Sequence, residues 1–429
     1  MKNLTKGLLV LSFTFYILHS TSFAQASYQL RQVIVLNEGQ YNTYATVGSY
    51  DPTTKIYQNF DTIPVRFATD VIIDNGFIYV AADTLLIKYD LLTKQKLTIQ
   101  TVPGIRELAV WNNQILVTRA EISPLPSYFQ VYDKNTLNFI YELTSVSNRS
   151  AEVKVINDTA YIAVNGFGSV GNLAVVDLNN QTLNREIDLG PDGFNPENVE
   201  VENGKVFTIN ALDYTNSSVT KYDATTTTFQ SKKLNTPSAC GASALYLSNV
   251  YFQPSFIDAN YTPDSKLGVF STMSSSIFDT LYINKSVYGL GIDSVNARIY
   301  VGTTDYFSYG KVYSYDFYGA AKDSFDVNVS PGTFAFDVIN TTGENKLAVD
   351  TWQLAVYPNP AKDMLDISIY DLQFTIYDLK IYDVLGNEVF KSKISNPKSQ
   401  INISSLSKGI YILRAENEKQ IITKKIVKQ

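Results

Sequence analysis

Three arginines, Arg66, Arg106 and Arg149, recur at intervals of 40 and 43 residues, each just ahead of a stretch that carries small residues. A guanidinium is a planar fork of donors suited to carboxylate, phosphate or amide oxygens, and it also stacks on aromatic rings. The same register holds Asn195, Cys240 and Tyr288 in the three repeats that follow. Two kinds of chemistry fit: capture of an anion-bearing ligand, or internal neutralisation by Asp70, Glu107, Glu152 and Glu197. A second set is aromatic. Tyr41, Tyr44, Tyr128, Phe167, Tyr214, Tyr261 and Tyr306 fall between apolar runs, with Phe256, Phe307 and Tyr309 nearby. Rings in loops supply large contact area at low entropic cost, so these residues, with Tyr288 and the three arginines, form the candidate ligand-binding set.

Catalysis by the commonest routes is excluded by composition. The single histidine, His19, lies in an amino-terminal leader, and the single cysteine is Cys240. A Ser-His-Asp or Cys-His arrangement therefore cannot be built, and the usual zinc ligands are missing. Carboxylate acid-base chemistry is what survives, with Asp70, Glu152, Glu197, Asp293 and Asp337 as candidates, but no pair stands out. The residues favour a binder over an enzyme, and they specify no cofactor.

The elements that must position these residues follow from a repeated phrase, an apolar or aromatic residue followed by Asp at the end of a strand. It occurs as Tyr50-Asp51, Tyr89-Asp90, Tyr132-Asp133, Val176-Asp177, Tyr222-Asp223 and Tyr315-Asp316, with Phe270-Ser271 standing in the sixth place, at spacings of 39 to 48 residues. That is the period of a propeller blade of four short strands. Earlier in each repeat comes a run apolar on both faces, such as Ile78-Tyr79-Val80 or Ile115-Leu116-Val117, as a strand packed between neighbouring sheets requires. Small residues at Ala68, Ala109, Ala151, Ala242, Gly289, Gly291 and Ala335 mark innermost strands around an axis. The first repeat lacks its innermost strand and the last innermost strand has nothing after it. Phe334 to Ile339 is therefore expected to pair with Val33 to Leu36 and to close the ring, removing an exposed edge. The class is all-β: a seven-bladed β-propeller over 28–339, a linker over 340–351, and a small C-terminal β-sandwich over 352–429.

Lys2 and Lys6, an apolar run from Gly7 to Leu18 and small residues at Ala24 and Ala26 read as a signal peptide over 1–26. The formal charge is −6. Such a chain lacks the clustered cations that nucleic acid demands.

The tail carries Val356-Tyr357-Pro358-Asn359-Pro360, Ile381-Tyr382-Asp383-Val384-Leu385-Gly386, Leu406-Ser407-Lys408-Gly409-Ile410-Tyr411 and Lys424-Lys425-Ile426-Val427-Lys428. This succession resembles the C-terminal sorting domain of the type IX secretion system of the Bacteroidetes. The resemblance implies a secreted or cell-surface protein on the extracellular side of the outer membrane, with the type IX secretion machinery as a partner. The preceding repeats, opening on Val35-Leu36-Asn37-Glu38-Gly39, are similar to the surface-layer, quinoprotein-like seven-bladed propellers, a group that includes a cobalamin-capturing surface protein. That resemblance implies a bulky anionic nutrient such as a corrinoid as ligand, with an outer-membrane transporter as a further partner. A scaffold or adhesin holding a protein or glycan is the alternative.

Overall fold

The computed structural model describes residues 28–40, 43–213, 216–234, 238–254, 266–272, 277–340, 353–357, 359–370, 377–384, 386–394, 398–416 and 421–429. Residues 28–340 form seven four-stranded antiparallel sheets, and each sheet is a simple meander except the first. The strands that begin the sheets are Asp70–Asp74, Ile105–Trp111, Ser150–Ile156, Pro196–Glu202, Ser238–Tyr246, Gly289–Asp293 and Pro331–Asn340. These inner strands touch one another in chain order, and Pro331–Asn340 also touches Asp70–Asp74, so the series returns to its start.

The first sheet is assembled from both ends of this region. Pro331–Asn340 pairs antiparallel with Tyr28–Asn37 in the register Val33 to Phe336, Ile34 to Ala335 and Val35 to Phe334. Alternation then sends the side chains of one strand to two different neighbours. Ile34 and Leu36 join a buried cluster with Val71, Ile78, Val80 and Tyr89 of the second sheet. Val33 and Val35 join another with Tyr300, Val312 and Phe325 of the seventh. Five more clusters of the same kind lie between the other successive pairs of sheets. Each buried aliphatic or aromatic side chain contributes roughly 1.5–3 kcal/mol, and a strand with both faces covered contributes on each.

The repeated phrase has a structural meaning at the outer hairpins. Its Asp carboxylate accepts backbone N–H bonds from the following turn, as Asp90 does from Leu92 and Thr93 and Asp133 does from Asn135 and Thr136. An Asp side chain replaces a missing backbone partner in such a turn, which is why the residue recurs. The aromatic ring before it is buried between sheets; Tyr50 stacks on Phe325 of the seventh sheet with centroids 3.7 Å apart. The small residues of the inner strands also have a direct cause. A Cβ at Gly289 would collide with the backbone of Pro331 and Gly332 in the adjacent inner strand.

The tail, described by itself, has two antiparallel sheets, one of three strands and one of four. They share a single core containing Leu365, Ile367 and Ile401 from the first and Leu379, Ile381, Leu413 and Ile426 from the second. The expected signal peptide, over 1–26, lies outside the described residues.

At the seam of the first sheet, buried Asp337 accepts from Arg31 Nε at 2.6 Å and from Gln32 Nε2 at 2.7 Å. Asp337→Ala strands both donors and is expected to cost about 1–3 kcal/mol in urea unfolding. Lys55→Ala, which removes the exposed Lys55–Asp323 pair, is expected to change stability by less than about 0.5 kcal/mol. Equal effects of the two variants would contradict a seam held by Asp337.

Candidate functional site

The loops that lead into the inner strands and the loops that join second to third strands touch one another, as where Ala120 N donates to Gly104 O at 2.7 Å and Asn165 N to Arg149 O at 3.2 Å. The three arginines all lie there, and each already has acceptors. Arg66 grips Asp83 with Nε at 3.0 Å and Nη2 at 2.5 Å, and its Nη2 lies 3.9 Å from Glu121. Arg149 forks onto the backbone carbonyls of Glu121 and Ile122, both at 2.5 Å. Arg106 reaches across the inner strands, and its Nη2 donates to Glu197 of the fifth sheet at 3.1 Å. Arg66 and Arg149 thus converge on one loop, while Arg106 spans to a sheet two places away. Of the expected neutralising carboxylates, Glu197 pairs with an arginine and Asp70 and Glu152 have other partners, described below.

The aromatic set divides. Tyr44, Phe167 and Tyr306 are exposed in these loops, and so are Phe67, Ile122, Phe307 and Tyr309. Arg66 lies over the Phe67 ring at 5.3 Å and Arg149 over Phe167 at 5.0 Å, so cation and ring present themselves together. Phe167 has φ 56, in the left-handed region between Gly166 and Gly168, and its N–H donates to Asn165 Oδ1 at 3.1 Å. Tyr44 and Arg66 share an open recess with Gln40, Thr43 and Asp83. Tyr128 instead packs against the core between the third and fourth sheets, because it stands directly ahead of the strand Phe129–Asp133 and its carbonyl accepts from Arg119 N at 3.0 Å. Tyr288 is partly buried and donates its hydroxyl to Glu38. Tyr41, Tyr214 and Tyr261 lie outside the described residues.

Sequence reasoning missed Lys154 and underrated its neighbours. Each of the strands that begin the sheets is the edge of its sheet, so alternate backbone N–H groups have no strand beside them. Carboxylates from the preceding sheet satisfy them. Asp70 accepts from Leu108 N at 2.9 Å and Glu152 from Val199 N at 2.8 Å. Glu200 accepts from Ser243 Oγ at 2.7 Å. Lys154 bonds Glu152 in the midst of this group; protein surrounds it, yet about a third of its side chain stays wetted. Burial opposes its charge, but Glu152, Glu200 and Asp70 together hold it protonated. Burial pushes Asp70 up to about 6 and Glu200 up to about 7, against the pull of Lys154. Glu107 is raised well above the usual carboxylate range by burial and by the charges of Asp70 and Glu152. Among the described residues, no cluster of three or more His, Cys, Asp or Glu side chains is arranged to hold a metal ion.

The second missed residue is Glu38, whose signal was its place at the end of a buried strand directly before Gly39. Taken together, the mouth and axis offer hydrogen-bonding groups and open rings, with more carboxylates than cations.

Comparison with known proteins bears on both parts of the chain. Residues 355–429 match the family of secretion system C-terminal sorting domains. An endo-acting ulvan lyase from Formosa agariphila is 37% identical over 76 residues, which is 17% of this chain and 14% of that protein. A crystal structure of a functionally unknown protein from Desulfotomaculum acetoxidans is 12% identical with a TM-score of 0.52, covering 71% of this chain and 98% of that one. The extracellular domain of a one component system from B. thetaiotaomicron is 10% identical with a TM-score of 0.47, covering 92% of this chain and 57% of that one. At 12% identity the likeness to the Desulfotomaculum acetoxidans protein speaks to fold alone. The tail is a type IX secretion C-terminal sorting domain, and the chain is exported to the cell surface or secreted.

The axial groups set a sign for pH dependence. Asp70 and Glu200 bind protons more tightly folded than unfolded, so their contribution is full below the ordinary carboxylate range and is lost as pH rises through about 6 and 7. The turn aspartates act oppositely: Asp223 and Asp316 are lowered to about 2, first by Lys205 and Lys322, and their contribution is lost as pH falls towards that value. Lys154→Met removes this ammonium and is expected to cost roughly 1–2 kcal/mol at pH 8, less than a fully buried pair would because about a third of the side chain is exposed. The loss should shrink at pH 5, where the carboxyls take up protons. A variant equally destabilised at both pH values would contradict this electrostatic reading.

Proposed function

Starting from a chain that its sorting domain sends to the cell surface or beyond, we propose that residues 28–339 form a seven-bladed propeller that captures a bulky ligand at its mouth. Residues 340–351 are then a linker and 352–429 the exported module that engages the secretion machinery. The observation that carries this reading is the set of exposed rings, two of them backed by guanidinium groups, in loops held on a buried scaffold. The strained backbone at Phe167 supports it, since such geometry persists where surroundings over-determine it and gathers at binding sites.

Within this reading the ligand is recognised by shape, stacking and hydrogen bonds. Arg66, Arg106 and Arg149 are all internally paired, so attraction for an anion is not the main force. A corrinoid is the sharper candidate, because its rim alternates amide groups with methyl groups around a broad planar ring, and an outer-membrane transporter would then accept the cargo. A glycan held by a scaffold or adhesin is the second reading, favoured by the recess where Tyr44 stands beside the Arg66–Asp83 fork. Carboxylate catalysis is set aside, since Asp70 and Glu152 are engaged in holding backbone amides.

Calorimetry of the mature chain separates these readings. Cyanocobalamin is expected to bind, and Phe167→Ala with Tyr306→Ala to weaken it by about tenfold or more. Binding of a neutral glycan with no heat from cyanocobalamin would transfer the site to the scaffold reading. Unchanged affinity in the double variant would remove these rings from the account.

A further inference from the structure

Where the seventh sheet meets the first, Glu38 follows the strand Tyr28–Asn37 and accepts the Tyr288 hydroxyl at 2.5 Å. Tyr306 stands edge-on to Tyr288 with ring centroids 5.5 Å apart. Three separate segments around this carboxyl take left-handed backbone: Gly39 at φ 81, Tyr306 at φ 69 and Ser330 at φ 60. For a tyrosine and a serine that conformation costs energy, and its convergence on one group is the mark of a site the fold is built to hold. Gly332 lies against it: an added Cβ would meet the Glu38 carboxylate as it is placed, so a side chain there would displace it. The Glu38 backbone is pinned as well: its N–H donates to Ser330 O at 2.8 Å and its carbonyl accepts from Ala68 N at 3.2 Å.

The segment is thus held on both sides, and the carboxyl rests on the Tyr288 hydroxyl. Burial pushes the Glu38 carboxyl up to about 7, against the lowering effect of the Tyr288 hydroxyl. Among the described residues, the titratable groups facing it are Tyr288 and Tyr306, both raised by burial and by the Glu38 charge. The other packed segments bring neutral groups, namely the Thr304 and Ser330 hydroxyls and the Ala68 amide.

Building on the ligand-capture reading above, we propose that Glu38 is a proton-operated contact of the mouth. Protonated, it offers an O–H donor to a carbonyl or ether oxygen of a ligand lying against the Tyr306 ring. Ionised, it offers only acceptors, and the same position turns to a hydroxyl, amide or ammonium donor. The mouth then changes which ligand edge it prefers as the surrounding water crosses neutrality, with no movement of the scaffold.

The test uses the mature chain with carbon-13-labelled glutamate. The side-chain carboxyl signal that disappears in Glu38→Gln is followed by NMR against pH, and its midpoint is expected near 7. In Tyr288→Phe the midpoint should move higher, because the hydrogen bond that favours the ionised form is gone. A midpoint at about 4.3, as for a free glutamate, or a downward move in Tyr288→Phe, overturns the proposal. Calorimetry with cyanocobalamin at pH 6 and pH 8 should show affinities that differ by up to about the tenfold by which the protonated fraction changes, tighter at pH 6 if a rim carbonyl faces Glu38 and tighter at pH 8 if a rim amide N–H does, and equal affinity at the two would overturn the proposal. Glu38→Gln should bind alike at both. The same pH dependence in Glu38→Gln would overturn the assignment to Glu38. If cyanocobalamin fails to bind at either pH, the corrinoid reading falls, and the NMR midpoint decides the proton-operated carboxyl independently.

Discussion

The structure depends on burial between facing sheets that has to come back to where it began. A strand such as Tyr28–Asn37 places Val33 and Val35 against the seventh sheet and Ile34 and Leu36 against the second. Neither face is free to meet water, so neither neighbour can be absent. Supplying the missing inner strand from the far end of the chain satisfies that demand and leaves no inner strand unpaired within its own sheet.

What this arrangement solves at the sheets it transfers to the axis. The strand that begins each sheet leaves one edge without a neighbouring strand, and its amides need acceptors. Asp70 and Glu152 meet that need across sheet boundaries, at the expense of bringing carboxylates close together. Lys154 and Arg106 offset the concentration, and proton uptake by Glu107, Asp70 and Glu200 offsets more of it. The carboxylates that composition left as the only candidates for acid-base chemistry thus have a structural duty first. Loops at the mouth inherit a rigid base from the same ring, which is what allows strained positions such as Phe167 and Tyr306 to persist.

Much of this was legible in the residues. The Asp that ends each phrase has a local cause, a turn two and three residues on, and local causes leave periodic marks. Runs apolar on both faces, and the offset between first and last repeats, carried the pairing of Phe334 to Ile339 with Val33 to Leu36. The tail motifs carried the sorting domain. Pairing of the arginines was harder to see. Arg66 and Asp83 are 17 residues apart but Arg106 and Glu197 are 91 apart, and only the geometry of the ring says which acid a guanidinium reaches. Tyr128 misled because an aromatic residue in a loop has the same sequence signature whether it faces water or folds back on the core. Glu38 and Tyr288 meet across 250 residues at the seam, and nothing local marks either as part of a pair.

The most direct measurement is native-state hydrogen exchange of the backbone amides in Val33 to Val35 and Phe334 to Phe336. If the ring is closed by this pair and every facing core depends on it, those amides exchange only when the whole of residues 28–340 unfolds, with the same free energy as the best-protected amides of the central sheets. Exchange through a local opening at much lower free energy, with the other sheets still protected, would contradict the account.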